Sequence, residues 1–215
     1  MTRLPTPIRY LETITKHVQM HFGTNSFVLH ENKSSTVHVD LHVVPPTNSR
    51  PYFTLLTSGM SDLDMHVPAG LEDLALAEVC LCLPGDWPLS LTDFGWRKPE
   101  YSWPIAILQQ TARYVHRHKT WFASGHTVGD LEHPAPIDAA GRFTGLLLLN
   151  PRTFPEGVDR VTTEEVGRTI HFLAIIPLLP QELEFARKQE SDALEERLND
   201  AGVTELLDPR RSSTV

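Results

Sequence analysis

The chain has 215 residues, 40% of them hydrophobic and 21% charged, an ordinary globular composition with enough apolar material for one sizeable core. Its 19 Lys and Arg stand against 27 Asp and Glu, a formal charge of −8 that repels nucleic acid and anionic lipid and favours a basic partner. Residues 1–7 hold no apolar segment of signal-peptide type, and no run approaches the roughly 20 apolar residues of a membrane span, so the chain reads as cytoplasmic.

In chain order, Thr6-Pro7 reads as an N-cap followed by proline at the first helical position. Ile8, Leu11, Ile14, Val18 and Phe22 then recur at spacings of three and four up to a terminating Gly23, which predicts a helix. Strands are predicted at 26–30 and 36–44, the second with Val37, Val39, Leu41 and Val43 on one face and His38, Asp40 and His42 on the other. The proline-rich stretch 45–51 turns the chain back into a strand at 52–57, antiparallel to the one before. The nearly continuous apolar run 74–83 predicts a central strand covered on both sides.

A second helix is expected from Trp103-Pro104, with Ile105, Leu108, Ala112 and Val115 along its apolar stripe, followed by extended chain from Trp121 to Val128. Strands at 143–149 and 169–179 lead to a charged helical region at 181–201 with a break near Ser191-Asp192. The loops 84–102 and 129–142 are long enough to carry a binding surface. With no repeat, low-complexity tract or linker, residues 1–207 read as one domain and 208–215 as a flexible tail.

Chemistry has three openings. His38, Asp40 and His42 form an imidazole–carboxylate–imidazole row on one strand face, but its outer Cα atoms lie about 13 Å apart, too far for one metal with bonds of about 2 Å. A polar strand face, or an Asp40 bonded to a neighbouring loop, is the simpler reading, and no metal is assigned. Ser58-Gly59 and Ser124-Gly125-His126 offer hydroxyls and a histidine, yet Gly-x-Ser-x-Gly is absent and Ser beside Gly is ordinary turn chemistry. No phosphate-binding glycine loop occurs. Cys80 and Cys82 read as buried, reduced thiols on one strand face. His116, His118 and Lys119 fall where cations complement a helix C-terminus. No catalytic residue and no cofactor is assigned.

From His38 to Pro209 the order of blocks resembles the suppressor-of-fused domain family. The blocks are His-Val-Asp-Leu-His-Val-Val-Pro-Pro from His38, Tyr-Phe-Thr-Leu-Leu-Thr-Ser-Gly-Met-Ser-Asp from Tyr52, and Ala-Glu-Val-Cys-Leu-Cys-Leu-Pro from Ala77. Asp86-Trp87-Pro88, Trp103-Pro104-Ile105, Gly125-His126-Thr127, Phe172 to Pro177 and Gly202 to Pro209 follow. The resemblance implies an α/β (α+β) fold, a mixed, largely antiparallel sheet flanked by helices. It also implies a non-enzymatic protein-binding module. Short bacterial members of the family have been proposed as immunity proteins that neutralise toxins, often nucleases, and a basic toxin suits an acidic chain. The turns Gly59-Met60-Ser61-Asp62 and Gly125-His126-Thr127 are the candidate partner-binding residues, each also explicable as a turn that needs glycine. A metal-dependent enzyme and a homo-oligomeric regulatory module are the alternatives.

Overall fold

The computed structural model describes residues 8–31, 36–90, 92, 94–130, 135–164 and 167–215. Its elements are α1 (Leu11–Phe22), β1 (Phe27–Leu29), β2 (Asp40–Val44), β3 (Tyr52–Ser58), β4 (Ala77–Pro84), α2 (Pro99–His118), β5 (Thr127–Val128), β6 (Gly145–Leu149), β7 (Arg160–Thr162), β8 (Thr169–Leu178), α3 (Pro180–Gln189) and α4 (Ser191–Asp200). The sheet runs β1-β2-β3-β4-β8-β6-β5, with β7 beside β8. β1 to β4 form an antiparallel meander, of which the β2–β3 pairing was expected, β8 joins β4 in parallel, and β6 and β7 pair antiparallel with β8.

The sheet is buried on both faces because helices cover both, which is why its central strands read as apolar runs. On one face α2 lays Ile105, Leu108, Ala112 and Val115 against Leu41, Leu55, Val79 and Ile175. On the other, α1 packs Ile14 and Val18 against Leu56, Cys80 and Phe172, while Leu183, Leu194 and Leu198 of α3 and α4 cover Leu147 and Ile176. Gly145 makes the α3 contact possible, since a Cβ there would lie 2.8 Å from Leu183 Cδ2.

Several boundaries differ from expectation for local reasons. Thr6-Pro7 lies outside the described residues, and α1 starts only at Leu11, because the Arg9 N–H is drawn to Asp62 Oδ1 at 2.9 Å rather than into a helical turn. β4 starts at Ala77, the preceding residues Glu72–Leu74 forming a 3-10 turn. Pro99, not the Trp103-Pro104 pair, occupies the first turn of α2, leaving Pro104 inside the helix. Of the stretch 121–128 only Thr127 and Val128 are strand, and β7 had no sequence signal. The break in the C-terminal helical region falls at Glu190, whose φ of 68° separates α3 from α4.

The tail differs most. Beyond Cys80, β4 and β8 no longer pair, and residues 205–207 lie alongside β4: the Cys82 N–H donates to Glu205 O, and the Leu207 N–H to Cys82 O. Arg211 then forms a two-pronged ion pair with the fully buried Glu182 of α3, at 2.5 and 2.6 Å, and donates to Pro177 O of β8. Arg142 holds the same segment through Pro209 O and Arg211 O. Residues 208–214 are therefore docked where a flexible tail was expected. The cause is a specific buried charge, which hydropathy does not register.

Candidate partner-binding surface

The Gly59–Asp62 turn is built around Glu78 at the start of β4. This fully buried carboxylate accepts the N–H groups of Gly59 and Ser61 at 2.9 and 3.0 Å and the hydroxyls of Thr57 and Ser61 at 2.6 Å each. Burial pushes its pKa up, and those four donors pull against the rise. Gly59 has φ of 118°, and a side chain there would overlap the His38 carbonyl oxygen. Met60 and Ser61 are fully buried and Asp62 half-buried, so of these four residues only Asp62 has a side chain that reaches the surface. Burial also raises the pKa of Asp62.

The Asp40 row is likewise structural. Asp40 Oδ1 accepts from His38 Nε2 at 2.8 Å and from the Glu31 N–H at 2.9 Å, and Oδ2 lies 2.7 Å from His30 Nδ1. Glu31 in turn pairs with Arg113 of α2, which donates to Val37 O. Among the described residues no group of three His, Cys, Asp or Glu is placed to hold a metal ion. Cys80 and Cys82 are buried free thiols, and burial pushes the pKa of Cys82 up to about 12, leaving no thiolate nucleophile there near neutrality. Ser124 and His126 make backbone bonds instead of a catalytic pair: Ser124 Oγ accepts the Asn150 N–H and His126 Nδ1 meets Trp121 O.

The Gly125–Thr127 turn has a different setting. The N–H of Gly125 donates to Leu148 O and that of Leu148 to His126 O, which fixes the turn along β6. Gly125 has φ of 91°. His126 packs edge-on against Trp121, with ring centres 4.6 Å apart, and Thr127 is exposed at β5, the terminal strand of the sheet path. The turn borders a depression of about 460 Å³ with Tyr114, His118, Trp121 and Phe122. Tyr114 stacks on Phe122 and lies 4.2 Å from His118, so the aromatic wall is held rigid.

Both candidate turns gather at the C-terminal end of α2. His116 Nε2 bonds Met60 O at 2.9 Å, while Lys119 closes the helix in a left-handed conformation with its N–H on Val115 O. His116 and His118 lie in the last turn of α2, as expected, and their rings also make lateral contacts. Tyr114 carried no signal of its own in the sequence, although Tyr and His four apart on a helix share a face.

Fold and surface together define an α/β sandwich domain with a recess at each end of its longest helix and with buried carboxylates committed to holding loops in place. The family profile described as suppressor of fused protein matches residues 35–212, and the chain belongs to that family. Among solved structures, the suppressor-of-fused homologue of Neisseria gonorrhoeae FA 1090 superposes with a TM-score of 0.67 at 18% identity, covering 97% of this chain and 98% of that one. A chain of a Sufu–Fu complex gives 0.66 at 14% identity over 97% and 93%. Drosophila Suppressor of Fused gives 0.65 at 15%, this chain spanning 52% of its length. At such identities the likeness is one of fold. No curated protein sequence matches. No helix among the described residues is long and apolar enough to cross a membrane.

Proposed function

We propose that this domain is a non-enzymatic, cytoplasmic protein-binding module that acts by sequestering its partner, most simply as an immunity factor for a basic toxin. The observation that carries the reading is the rigid aromatic depression beside Gly125, His126 and Thr127, at the end strand of the sheet. Aromatic side chains fixed in place around a shallow recess are the usual anchors of a protein interface. The Gly59–Asp62 turn supports this surface from beneath through the His116 bond, with Asp62 as its outward member. One of the related structures is that of a Sufu–Fu complex. The charge of −8 would speed association with a basic protein and cover a site built for phosphate.

The test is affinity capture from the native host, eluted at low and then high salt, with Trp121→Ala and Thr127→Arg variants alongside. A stoichiometric basic protein that is toxic when expressed alone, held by the native chain and bound about 30-fold more weakly by Trp121→Ala, is the expected result. Recovery of the domain by itself at low salt, or capture indifferent to both variants, would sink the assignment.

A further inference from the structure

A second recess lies at the opposite, N-terminal end of α2. It measures about 760 Å³ and is formed where three segments meet: the turn after β4, the first turns of α2, and the docked tail around Asp208 and Pro209. Its apolar surface comes from Trp87, Pro88, Tyr101, Trp103 and Pro209. Trp87 and Tyr101 stand perpendicular, 5.7 Å between ring centres, and the Trp87 indole N–H is fixed by Tyr101 O at 3.2 Å. The rings therefore present their faces without needing to be ordered by a ligand.

Among the described lining residues, four carboxylates, Asp86, Glu100, Asp138 and Asp208, surround this aromatic surface, against one cation, Arg210. Asp138 and Asp208 use oxygens to tie backbone N–H groups of their own loops. Asp86 and Glu100 are exposed. A ring face attracts a cation, and a carboxylate at the rim adds to that attraction, so the pairing of perpendicular rings with excess negative charge selects Lys or Arg over neutral or acidic side chains. The tail wall is held by the Arg142 and Arg211 bonds described above, which makes the groove preorganised.

We infer that this groove is a second docking site, one that takes a basic, extended peptide segment of a partner protein, with a Lys or Arg side chain seated against Trp87 and Tyr101 between Asp86 and Glu100. The site shares with the proposed function only the premise that the domain binds proteins, and it lies at the other end of α2 from the depression at Trp121.

The full chain, labelled with nitrogen-15, is titrated with the peptide acetyl-Gly-Lys-Arg-Leu-Lys-Arg-Gly-amide and with its acidic counterpart built from Glu and Asp. Indole N–H signals are assigned through Trp87→Phe and Trp121→Phe. A saturable shift of the Trp87 signal with the basic peptide alone, Trp121 unmoved, and affinity about fivefold or more weaker in the Asp86→Asn, Glu100→Gln double variant is the expected outcome. Both substituted residues are exposed, and the spectrum itself reports that the variant is folded. No saturable shift up to millimolar peptide, equal response to the acidic peptide, a shift centred on Trp121, or indifference to the double variant each overturns the site. If affinity capture instead yields a partner that the double variant holds equally well, the groove fails while the sequestering function stands. A Trp87 response without any captured partner leaves the groove standing and removes the sequestering function.

Discussion

His42 sits in the middle of β2, opposite Val28 and Leu56, and is 1% exposed with Nε2 lacking a hydrogen-bond partner among the described residues. Burial lowers its pKa from 6.5 to about 4, with Asp40 opposing the shift and His30 adding to it. Between those two values the unfolded chain binds a proton that the folded one refuses, so stability is complete above pH 6.5 and falls as pH drops toward 4. His17 and His116, also lowered by burial, act in the same direction. The expected loss traceable to His42 between pH 7 and pH 5 is about 2 kcal/mol. Urea unfolding of the native chain and of His42→Leu at both pH values checks it, the variant showing the flatter dependence. Equal slopes would mean that His42 is hydrated or already charged.

Gly59 answers to geometry in place of charge. Its φ of 118° and the His38 carbonyl in its Cβ position leave no room for Ala, and the N–H groups of Gly59, Met60 and Ser61 would lose their alignment on Glu78. Gly59→Ala should lower stability by at least ~2 kcal/mol in the same assay. A loss below about 0.5 kcal/mol would show that the turn can relax without disturbing Glu78.

At the level of elements, the tail acts as an extra sheet segment, and its anchor is one ion pair. Removing the guanidinium by Arg211→Ala leaves the fully buried Glu182 carboxyl without its counter-ion, which costs about 3–5 kcal/mol. The double variant Glu182→Gln, Arg211→Met should recover much of that, because the amide keeps an acceptor for the Leu179 N–H without the charge. Denaturation midpoints of the single and double variants decide it, and a cost under 1 kcal/mol for Arg211→Ala would mean the tail is not docked in solution. The same elements show what sequence could reveal. Alternation at 37–43 assigned the two faces of one strand and the apolar run 74–83 marked another as covered on both sides, since burial patterns are local. Residues 205–211 hold only the pair Leu206-Leu207 among charged residues and a proline, too short an apolar run to announce a place in the sheet. Their position depends on Cys82, Glu182 and Arg142, each far away in sequence. The candidate surface divides similarly: the need for glycine at 59 and 125 was legible, while the inward orientation of Met60 and Ser61 followed from Glu78, which reads in sequence as one more charge in a strand.

For the whole molecule the question is whether two helical layers on opposite sheet faces unfold together. Chains above roughly 150 residues often populate intermediates, so all-or-none behaviour is not the default at this length. Here the two layers share their strands. β4 sends Val79 and Leu81 to the α2 side and Cys80 to the α1 side, and β8 does the same with Leu173 and Ile175 against Phe172 and Ala174. The C-terminal segment repeats the pattern, Leu207 entering the α2-side core while Glu205 accepts the Thr153 N–H at 2.7 Å. Releasing one layer therefore strips apolar side chains from strands that the other layer needs paired. The two probes weight the layers differently: Trp87, Trp96, Trp103 and Trp121 all pack against the α2-side core, whereas helix is spread over both faces, in α2 on one and in α1, α3 and α4 on the other. Tryptophan fluorescence and far-UV circular dichroism should accordingly give coincident urea transitions with one midpoint, residues 8–214 unfolding as one domain. A fluorescence transition that precedes the dichroism change would divide the structure at the sheet, with α2 leaving first and taking both recesses along with it.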